Sequence, residues 1–380
     1  MNTVSDRLDR LSESATLAMA QMSRELQSKG INVISLSLGE PDFDTPEFIK
    51  EAAKKAIDDN FSHYTPVPGL LDLRRAIAEK FKRDNNLEFK PDQIVVSTGA
   101  KQSLANVCLC LLNSGDEVLL PCPYWVSYAE IIKLAEGIPI EVKSNIESDF
   151  KVTPEELEKS ITLNTKMIIF SSPCNPSGSV YTQAELEAIA RMLEKYPEIY
   201  VVSDEIYEHI NFTDKHFSIG SIPSMIDRTV TVNGVSKGFA MTGWRVGFIG
   251  APLWIAKACN KIQGQVTSAT CAIAQKATER AMLAEPRSAT QKMKETFLNR
   301  RDMLIDLLNE IPGIKCNIPK GAFYVFPDIS YYFGKSNGET KINNANDLCM
   351  YLLYNANVAF VAGDAFGNSD CIRISYATSD

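Results

Sequence analysis

Residues 93–120, QIVVSTGAKQSLANVCLCLLNSGDEVLL, decide the fold class of this 380-residue chain. Residues 93–96 and 117–120 are short, mostly apolar runs of the kind that form buried strands. The segment between them carries apolar residues at helical spacing, which share one helix face: Leu104, Val107, Cys108, Leu111 and Leu112. A strand, a helix and a second strand in succession indicate an α/β architecture.

The same alternation continues on the C-terminal side of this stretch. Further strands are predicted at residues 138–142, 166–170, 200–203, 229–232 and 248–250. Thr153 and Thr182 each stand three residues before a glutamate, and this capping-box pattern predicts helices that begin directly after them. We therefore predict an α/β fold for residues 32–285, a large domain in which helices enclose a mostly parallel, mixed sheet.

A change of pattern near residue 286 predicts a second unit. A long helix at about residues 289–309 leads to a strand at 322–326, a helix at 346–355, and strands at 358–361 and 372–375. The chain is also too long for one core, because cores stop growing at roughly 250–300 residues. We predict a smaller α+β domain that is formed by residues 286–380 together with residues 1–31.

Composition and charge exclude several classes of protein. The net charge of −8 argues against a nucleic-acid partner, which favours a basic surface. No apolar run reaches the length of about 18 residues that a membrane span needs, and residues 1–10 lack a signal peptide's apolar core. Nine scattered cysteines predict a reducing compartment, and hence a cytoplasmic location. The three histidines and the cysteines form no cluster with metal-ligand spacing, so we predict no metal.

Candidate functional residues follow the predicted strands. In an open α/β sheet, ligands bind beyond the carboxyl ends of the strands. Chemically useful side chains at four strand ends are therefore expected to converge on one edge of the sheet: residues 99–101, Asn175, Asp204 with Tyr207, and Ser236 with Lys237.

Three of the candidates have both a structural and a functional interpretation. A lysine after a strand, such as Lys237, is usually a solvated charge, but a buried lysine loses proton affinity and becomes a nucleophile toward carbonyls. Asp204 is either a helix N-cap or a buried carboxylate that keeps a pyridine nitrogen protonated, and Tyr207 would reach the same ring from the next helical turn. Trp125 is either part of the core or a cover for one face of a planar cofactor.

Anion-binding sites are predicted at one helix start and at two arginines. Gly99, Ala100 and Lys101 open a helix after a strand, where backbone amides favour a phosphate, although glycine is common in such turns. The stretch is neither a Walker A loop nor a G-x-G-x-x-G fingerprint. Arg245 and Arg373 are either solvated or clamps for an anion, since guanidinium geometry suits a carboxylate.

Taken together, these residues resemble the class I family of fold-type I pyridoxal-phosphate enzymes, nearest to the prokaryotic-type aspartate aminotransferase branch. The resemblance runs from about residue 11 to residue 379 and rests on ordered blocks: GEPDFDTP at 39–46, YWVSY at 124–128, NPSG at 175–178, SDEIY at 203–207, and Ser236-Lys237 through Trp244-Arg245. It implies amino-group transfer between an L-amino acid, expected to be aspartate or glutamate, and a 2-oxo acid by a ping-pong mechanism.

The resemblance also implies a role for each candidate at a pyridoxal 5′-phosphate cofactor. Lys237 would be the Schiff-base lysine and proton shuttle, Asp204 would pair with the pyridine nitrogen, and Trp125 would stack on the ring. Tyr207 and Asn175 would bind the ring oxygen. The phosphate would be held by a further set: Gly99, Ala100, Lys101, Ser236 and Arg245.

Substrate contacts and a partner subunit are implied in the same way. Arg373 would grip the substrate α-carboxylate, in a pocket that Gly39, Trp125 and Asn175 also line. Tyr64 would reach the phosphate of a neighbouring subunit, which implies a homodimer with shared active sites. Recognition of an acidic side chain is implied for one more group: Lys101, Ser14 and Thr16.

Three other functions compete with this one. Prephenate is an alternative substrate, because some members of the branch also transaminate it. A β-lyase on the same fold is a second alternative, since fold does not fix reaction type. The string GVSKG at 234–238 matches a hydrolase nucleophile motif, but that motif needs a later histidine, and all three histidines precede Ser236.

Overall fold

The computed structural model describes residues 4–213, 215–284 and 286–379, without the side chains of residues 286–288. The strands in these ranges are β1 (Ile34–Ser35), β2 (Ile94–Ser97), β3 (Glu117–Pro121), β4 (Ile138–Val142), β5 (Thr165–Ser171), β6 (Tyr200–Asp204), β7 (Thr229–Gly234), β8 (Gly247–Gly250), β9 (Tyr324–Val325), β10 (Val358–Ala359), β11 (Val361–Ala362) and β12 (Ile372–Ser375).

Seven of these strands form one sheet in the order β2-β8-β7-β6-β5-β3-β4. Neighbouring strands from β3 to β7 pair in parallel, whereas β8 runs antiparallel to both of its neighbours, β2 and β7. The carboxyl ends of β2, β5, β6 and β7 therefore meet at one edge of the sheet, where ligands bind in such folds. The predicted α/β fold with a mostly parallel, mixed sheet is confirmed.

The helices in the described ranges are α1 (Asp6–Asp9), α2 (Ala15–Ser28), α3 (Glu47–Asp58), α4 (Leu71–Asn85), α5 (Ala100–Leu111), α6 (Ser127–Leu134), α7 (Pro154–Lys159), α8 (Gln183–Leu193), α9 (Leu253–Val266), α10 (Ala272–Leu283), α11 (Pro286–Asn309) and α12 (Ala345–Asn355). Helices α7 and α8 begin after Thr153 and Thr182 with reciprocal capping boxes, as predicted. No helix within these ranges combines the length and the apolar character that crossing a bilayer requires.

Alternation of side chains along the strands gives the sheet two apolar faces. On β5, Met167 and Ile169 belong to a buried cluster that includes residues of α5, α6 and α9. Ile168 and Phe170 point the other way, into a cluster with residues of α7 and α8. Helices α3, α4 and α10 cover the β2–β8 end of that second face. Both faces of the sheet are thus shielded by helices, as a parallel sheet requires.

The C-terminal part of the chain forms smaller sheets of its own. Strands β11, β12 and β9 make an antiparallel sheet, and β10 pairs in parallel with β1. The single strand predicted at residues 358–361 is wrong in detail, because its two halves, β10 and β11, belong to different sheets. Residues of α2, α11 and α12 share a buried cluster with these strands. The division of the chain at residues 32 and 286 stays a prediction.

Candidate active site

A cavity of about 440 Å³ opens at the carboxyl edge of the seven-stranded sheet. It brings together most of the side chains that the sequence singled out, namely Ser14, Thr16, Gly39, Ala100, Lys101, Trp125, Asn175, Asp204, Tyr207, Ser236, Lys237, Arg245 and Arg373. Gly99, the N-cap residue of α5, is not among the residues that line the cavity. Tyr64 does not line the cavity, and its side chain is 100% exposed.

Lys237 lies three residues after β7, and its side chain projects into the cavity. Its Nζ donates a hydrogen bond of 2.6 Å to the carbonyl oxygen of Gly39. Burial, together with the positive charge of Arg373, lowers the pKa of this amine to about 8. The alternative of a fully solvated lysine is wrong, and the amine has the reduced proton affinity of a nucleophile.

Asp204 ends β6 and is almost completely buried. Its Oδ2 accepts a 2.7 Å hydrogen bond from the Tyr128 hydroxyl, and its Oδ1 accepts one of 3.2 Å from the backbone N–H of Ile206. Burial raises the pKa of the carboxyl to about 6, against the opposing effect of the Tyr128 bond. The helix-cap alternative is wrong, because the chain continues into turns and not into a helix.

Tyr207 is held by tertiary contacts instead of by the helical turn that we expected. Its buried hydroxyl lies 2.9 Å from the hydroxyl of Tyr324 in β9. The two rings meet edge to face, with centroids 5.9 Å apart. The phenol therefore reaches the cavity as predicted, but its position depends on the C-terminal sheet.

Arg373 is the largest fully buried side chain among the described residues, with 2% of its surface exposed. Its Nη1 donates to Asn175 Oδ1 over 3.0 Å, and its Nη2 donates to the carbonyl oxygen of Ser37 over 2.5 Å. Its Nε is buried without a partner, and none of the ion pairs within the described ranges includes it. The alternative of a solvated arginine is wrong. A buried cation without a counter-charge favours the binding of an anion.

Two cationic side chains, Lys101 and Arg245, lie at the start of α5 and line the cavity. Gly99 has a left-handed backbone (φ 85°), and a Cβ there would collide with the Arg245 guanidinium. Gly247 has no room for a Cβ either, because the backbone of Ala100 packs against it. Burial and the charge of Arg245 both lower the pKa of Lys101. A helix start with free N–H groups beside two cations is a favourable place for a phosphate.

Trp125 and two hydroxyl residues complete the walls. The Trp125 ring meets Tyr128 at 88° with centroids 5.5 Å apart, and Lys101 Nζ lies 5.0 Å from the Trp125 centroid. Ser14 precedes α2 without capping it through its side chain, and Thr16 Oγ1 is buried without a partner. A buried hydroxyl of this kind is costly unless a ligand satisfies it.

Two aromatic residues of the cavity, Tyr128 and Tyr324, were not among the predicted site residues, although each contacts a predicted one. Tyr128 lies within the quoted block at 124–128, so its proximity to the site was signalled, but its bond to Asp204 was not. Tyr324 lies in a predicted apolar strand, and nothing in the neighbouring sequence marks its contacts with Tyr207 and Arg373. Both contacts join residues far apart in the chain, which local patterns do not encode.

A buried cluster of charges lies on the turn that follows Asp204. Ligand atoms of Glu205, Glu208 and His216 lie within 4.8 Å of one another, close enough to hold a metal ion. The ammonium of Lys80 already forms an ion pair with Glu208 and donates to Asn85, which also bonds both carboxylates. The cluster thus contains its own cation, and it fixes the turn that carries Asp204 and Tyr207.

A sequence model of the family described as aminotransferase class I and II matches residues 31–380. The match spans most of the chain, so the chain belongs to this family, and it is an aminotransferase. Relatives include an aspartate/prephenate aminotransferase from Cereibacter sphaeroides, 47% identical over 100% of this chain and 96% of the relative. An aspartate aminotransferase from Pinus pinaster is 44% identical over 99% of this chain and 78% of the relative.

Solved structures agree with the fold. The aspartate aminotransferase from Rhizobium meliloti superposes with a TM-score of 0.96 at 39% identity and covers 100% of this chain and 96% of its own. The aspartate aminotransferase from Thermus thermophilus with maleate gives a TM-score of 0.92 at 39% identity, with the same coverage. The fold is therefore that of the aspartate aminotransferases.

Proposed function

We propose that this aminotransferase uses pyridoxal 5′-phosphate and transfers the amino group of aspartate or glutamate to 2-oxoglutarate or oxaloacetate. One observation carries the proposal: a single cavity contains the Lys237 amine of lowered pKa, the buried Asp204 carboxylate and the buried, unpaired Arg373 guanidinium.

The residues present fit this cofactor at three points. The Lys237 amine can react with the aldehyde of the cofactor, because with a pKa of about 8 roughly a tenth of it is neutral at pH 7. Asp204 is a buried carboxylate that a protonated ring nitrogen would stabilise. The start of α5, with Ser236, Arg245 and Lys101, offers N–H groups and positive charge to a phosphate. Trp125 supplies a flat apolar wall for a ring, and Tyr207 and Asn175 supply polar atoms near it.

Bound pyridoxal 5′-phosphate would withdraw electrons from the Cα atom of an amino acid and so acidify its Cα–H bond. Arg373 would hold the α-carboxylate and thereby orient that bond toward Lys237. The Lys237 amine would take the proton and return it at the neighbouring carbon of the cofactor. Proton transfer by a positioned base contributes typically ~10²–10⁴-fold. The amino group would remain with the enzyme-bound cofactor while water supplies the oxygen of the released 2-oxo acid, and a second oxo acid would then take up the amino group, which gives ping-pong kinetics.

Two separate cations support a substrate with two carboxylates. Arg373 and Lys101 both line the cavity, and so do Ser14 and Thr16, whose buried hydroxyl has no hydrogen-bond partner among the described residues. The Thermus thermophilus relative was solved with maleate, which is itself a dicarboxylate. Prephenate also carries two carboxylates, and the name of the Cereibacter sphaeroides relative makes it the second candidate substrate.

Product analysis tests the reaction type. Aspartate and 2-oxoglutarate, incubated with the cofactor-loaded protein, should give glutamate and oxaloacetate in equal amounts. A parallel assay with cysteine, which carries a leaving group on its β-carbon, tests the lyase alternative: its conversion with water into pyruvate, ammonia and sulfide would instead indicate a β-lyase. Replacing 2-oxoglutarate by prephenate in the same assay, with aspartate or glutamate as donor, decides between the two candidate acceptors.

Lys101→Ala tests the recognition of an acidic side chain. Loss of one charge-assisted contact should lower kcat/KM for aspartate by about tenfold to a hundredfold. At saturating cofactor, which compensates for the proposed contact of Lys101 with the phosphate, kcat/KM for an aromatic amino acid should change little. Lys195→Ala is a suitable control, because Lys195 pairs with Glu158 and does not line the cavity. An equal loss on acidic and aromatic substrates would remove the specificity role of Lys101.

The proposal extends to a cytoplasmic homodimer with shared active sites. All nine cysteines are free, which suits a reducing compartment. The full exposure of Tyr64 outside the cavity of its own chain supports a role in the site of a second copy. We also retain the division into a large domain at 32–285 and a small one at 1–31 and 286–380 as part of this proposal.

A mixed dimer tests the shared site. Tyr64→Phe alone should weaken cofactor binding by about tenfold to a hundredfold, the size of one hydrogen bond to a charged group. A dimer of one Tyr64→Phe chain and one Lys237→Ala chain, purified through two different tags, contains one site with both native residues if Tyr64 acts across the interface. That site should bind the cofactor with wild-type affinity. Weak binding in the mixed dimer would place Tyr64 in its own subunit's site or outside both.

A further inference from the structure

Tyr324 contacts two residues of the cavity that have different proposed roles, Tyr207 and Arg373. It is the first residue of β9, it is buried to 1% exposure, and it lines the cavity. Antiparallel pairing with β12 sets Tyr324 opposite Ser375 and Val325 opposite Ile374, directly after Arg373. Its place in the site is therefore fixed by the same strand that carries the arginine.

The hydroxyl of Tyr324 faces the lysine side of the site. It lies 2.9 Å from the Tyr207 hydroxyl. A Cβ on Gly39 would overlap the Tyr324 hydroxyl, so only glycine leaves room for the phenol. The carbonyl of Gly39 accepts the hydrogen bond from Lys237. The phenol oxygen thus sits against both the tyrosine and the backbone segment that contact the reacting groups.

The ring of Tyr324 faces the arginine side. The guanidinium carbon of Arg373 lies 4.6 Å from the ring centroid, within cation–π distance. Arg373 makes hydrogen bonds through Nη1 and Nη2, and its buried Nε has none. The aromatic face therefore stabilises a buried cation that has no carboxylate partner within the described ranges.

We propose that Tyr324 is a positioning residue that orients Arg373 through its ring and strengthens the Tyr207 hydroxyl as a donor through its own hydroxyl. The inference rests on the proposed cofactor. If Tyr207 donates its only proton to the ring oxygen of that cofactor, the hydrogen bond between the two phenols must be donated by Tyr324. A hydroxyl that accepts one hydrogen bond donates a second one more strongly. Tyr324 would then affect both the binding of the substrate carboxylate by Arg373 and the hydrogen bond from Tyr207 to the cofactor ring.

Tyr324→Phe separates the two contributions, because it removes the hydroxyl and keeps the ring. A stronger donor to the ring oxygen favours its deprotonated, negatively charged form, so loss of the hydroxyl should raise the pH at which the visible absorption of the loaded protein titrates. The expected rise is about 0.5–1 pKa unit, the size of one net hydrogen bond. KM for aspartate should stay within about twofold, since the Arg373 contact is retained. Tyr324→Leu should show the same spectral shift and also raise KM by about tenfold.

Tyr376→Phe is the matched control. Tyr376 is a buried tyrosine of the same apolar cluster, its hydroxyl donates only to the Ala322 carbonyl over 3.3 Å, and it does not line the cavity. It should leave the spectral titration unchanged. An equal shift in Tyr376→Phe, or no shift in Tyr324→Phe, overturns the proposal.

Two further measurements test whether Tyr324 acts through the Tyr207 hydroxyl. In a Tyr207→Phe background, Tyr324→Phe should cause no additional shift, because its effect passes through the Tyr207 hydroxyl. A 3-fluorotyrosine at position 324, which is a stronger donor of similar size, should move the titration in the opposite direction, and a shift of the same sign would contradict the proposal. If the wild-type protein shows no pH-dependent visible absorption at all, the proposed cofactor fails, and not only the role of Tyr324.

Discussion

Lys237→Ala is expected to abolish covalent capture of the cofactor and to lower turnover by about 10⁴-fold or more, beyond what a positioned base alone contributes. Alanine offers neither the amine that binds the aldehyde nor the base that moves the Cα proton. Reduction of the loaded protein with borohydride, followed by mass spectrometry, should find a cofactor adduct on residue 237 of the wild type and none on the variant.

Lys237→Arg distinguishes lost chemistry from lost charge. Arginine keeps a cation beside Gly39 and Asp204 but stays protonated, so it neither attacks an aldehyde nor accepts a proton. It should be as inactive as the alanine variant. A reduced adduct that persists on the chain in either variant would show that another amine binds the cofactor.

Asp204→Asn should reduce kcat by about 10²–10⁴-fold, the equivalent of breaking a buried ion pair. An amide does not balance a protonated ring nitrogen, so the cofactor would lose most of its ability to withdraw electrons. Tyr128→Phe is the graded comparison, because it removes the 2.7 Å bond to Asp204 and keeps the carboxylate. Its loss of kcat should be about tenfold or less, the size of one net hydrogen bond. Equal losses in the two variants would mean that geometry, and not charge, is what Asp204 supplies.

The stability of the cofactor-free protein provides the control for that comparison. Burial raises the pKa of Asp204 from 3.8 to about 6, so its contribution to stability is fully present below about pH 3.8 and is lost as the pH rises through 6. The ionised carboxylate at pH 8 therefore costs roughly 3 kcal/mol. The Asp204→Asn substitution removes this cost but loses a hydrogen bond of about 1–3 kcal/mol. The free energy of unfolding at pH 8 should consequently stay close to wild type, and a large drop would point to a structural role.

Much of the fold followed from local sequence patterns. Apolar runs separated by amphipathic helices predicted the strands of the large sheet, and the capping boxes at Thr153 and Thr182 fixed two helix starts. The rule that ligands bind at the carboxyl ends of parallel strands was enough to group residues 99–101, Asn175, Asp204 and Lys237 into one site. These features depend on neighbours in the chain, which is why the sequence reveals them.

The wrong predictions concern features that depend on contacts between residues far apart in the sequence. The segment after Asp204 was expected to be helical. The buried side chain of Glu205 instead forms hydrogen bonds with Ser203, Ser218 and Asn85, and the segment adopts turns. The run at 358–361 is continuous in sequence, but β1 pairs with its first half and β12 with its second. The contacts of Tyr324 with Tyr207 and Arg373 join residues 49 or more positions apart, so no local pattern announces them.

Arg373 belongs to β12, whose strand partners are β9 and β11, whereas Lys237 follows β7 in the seven-stranded sheet. The group proposed to hold the substrate and the group proposed to react with it thus have separate scaffolds. Laboratory evolution can exploit this arrangement, since replacements in the C-terminal strands that keep Arg373 and Tyr324 leave the reacting amine beyond the end of an unchanged strand. Variants selected for new amino donors should accumulate replacements around β9 and β12 that spare Arg373 and Tyr324, and their rate of proton transfer, once a substrate is bound, should stay near that of the wild type.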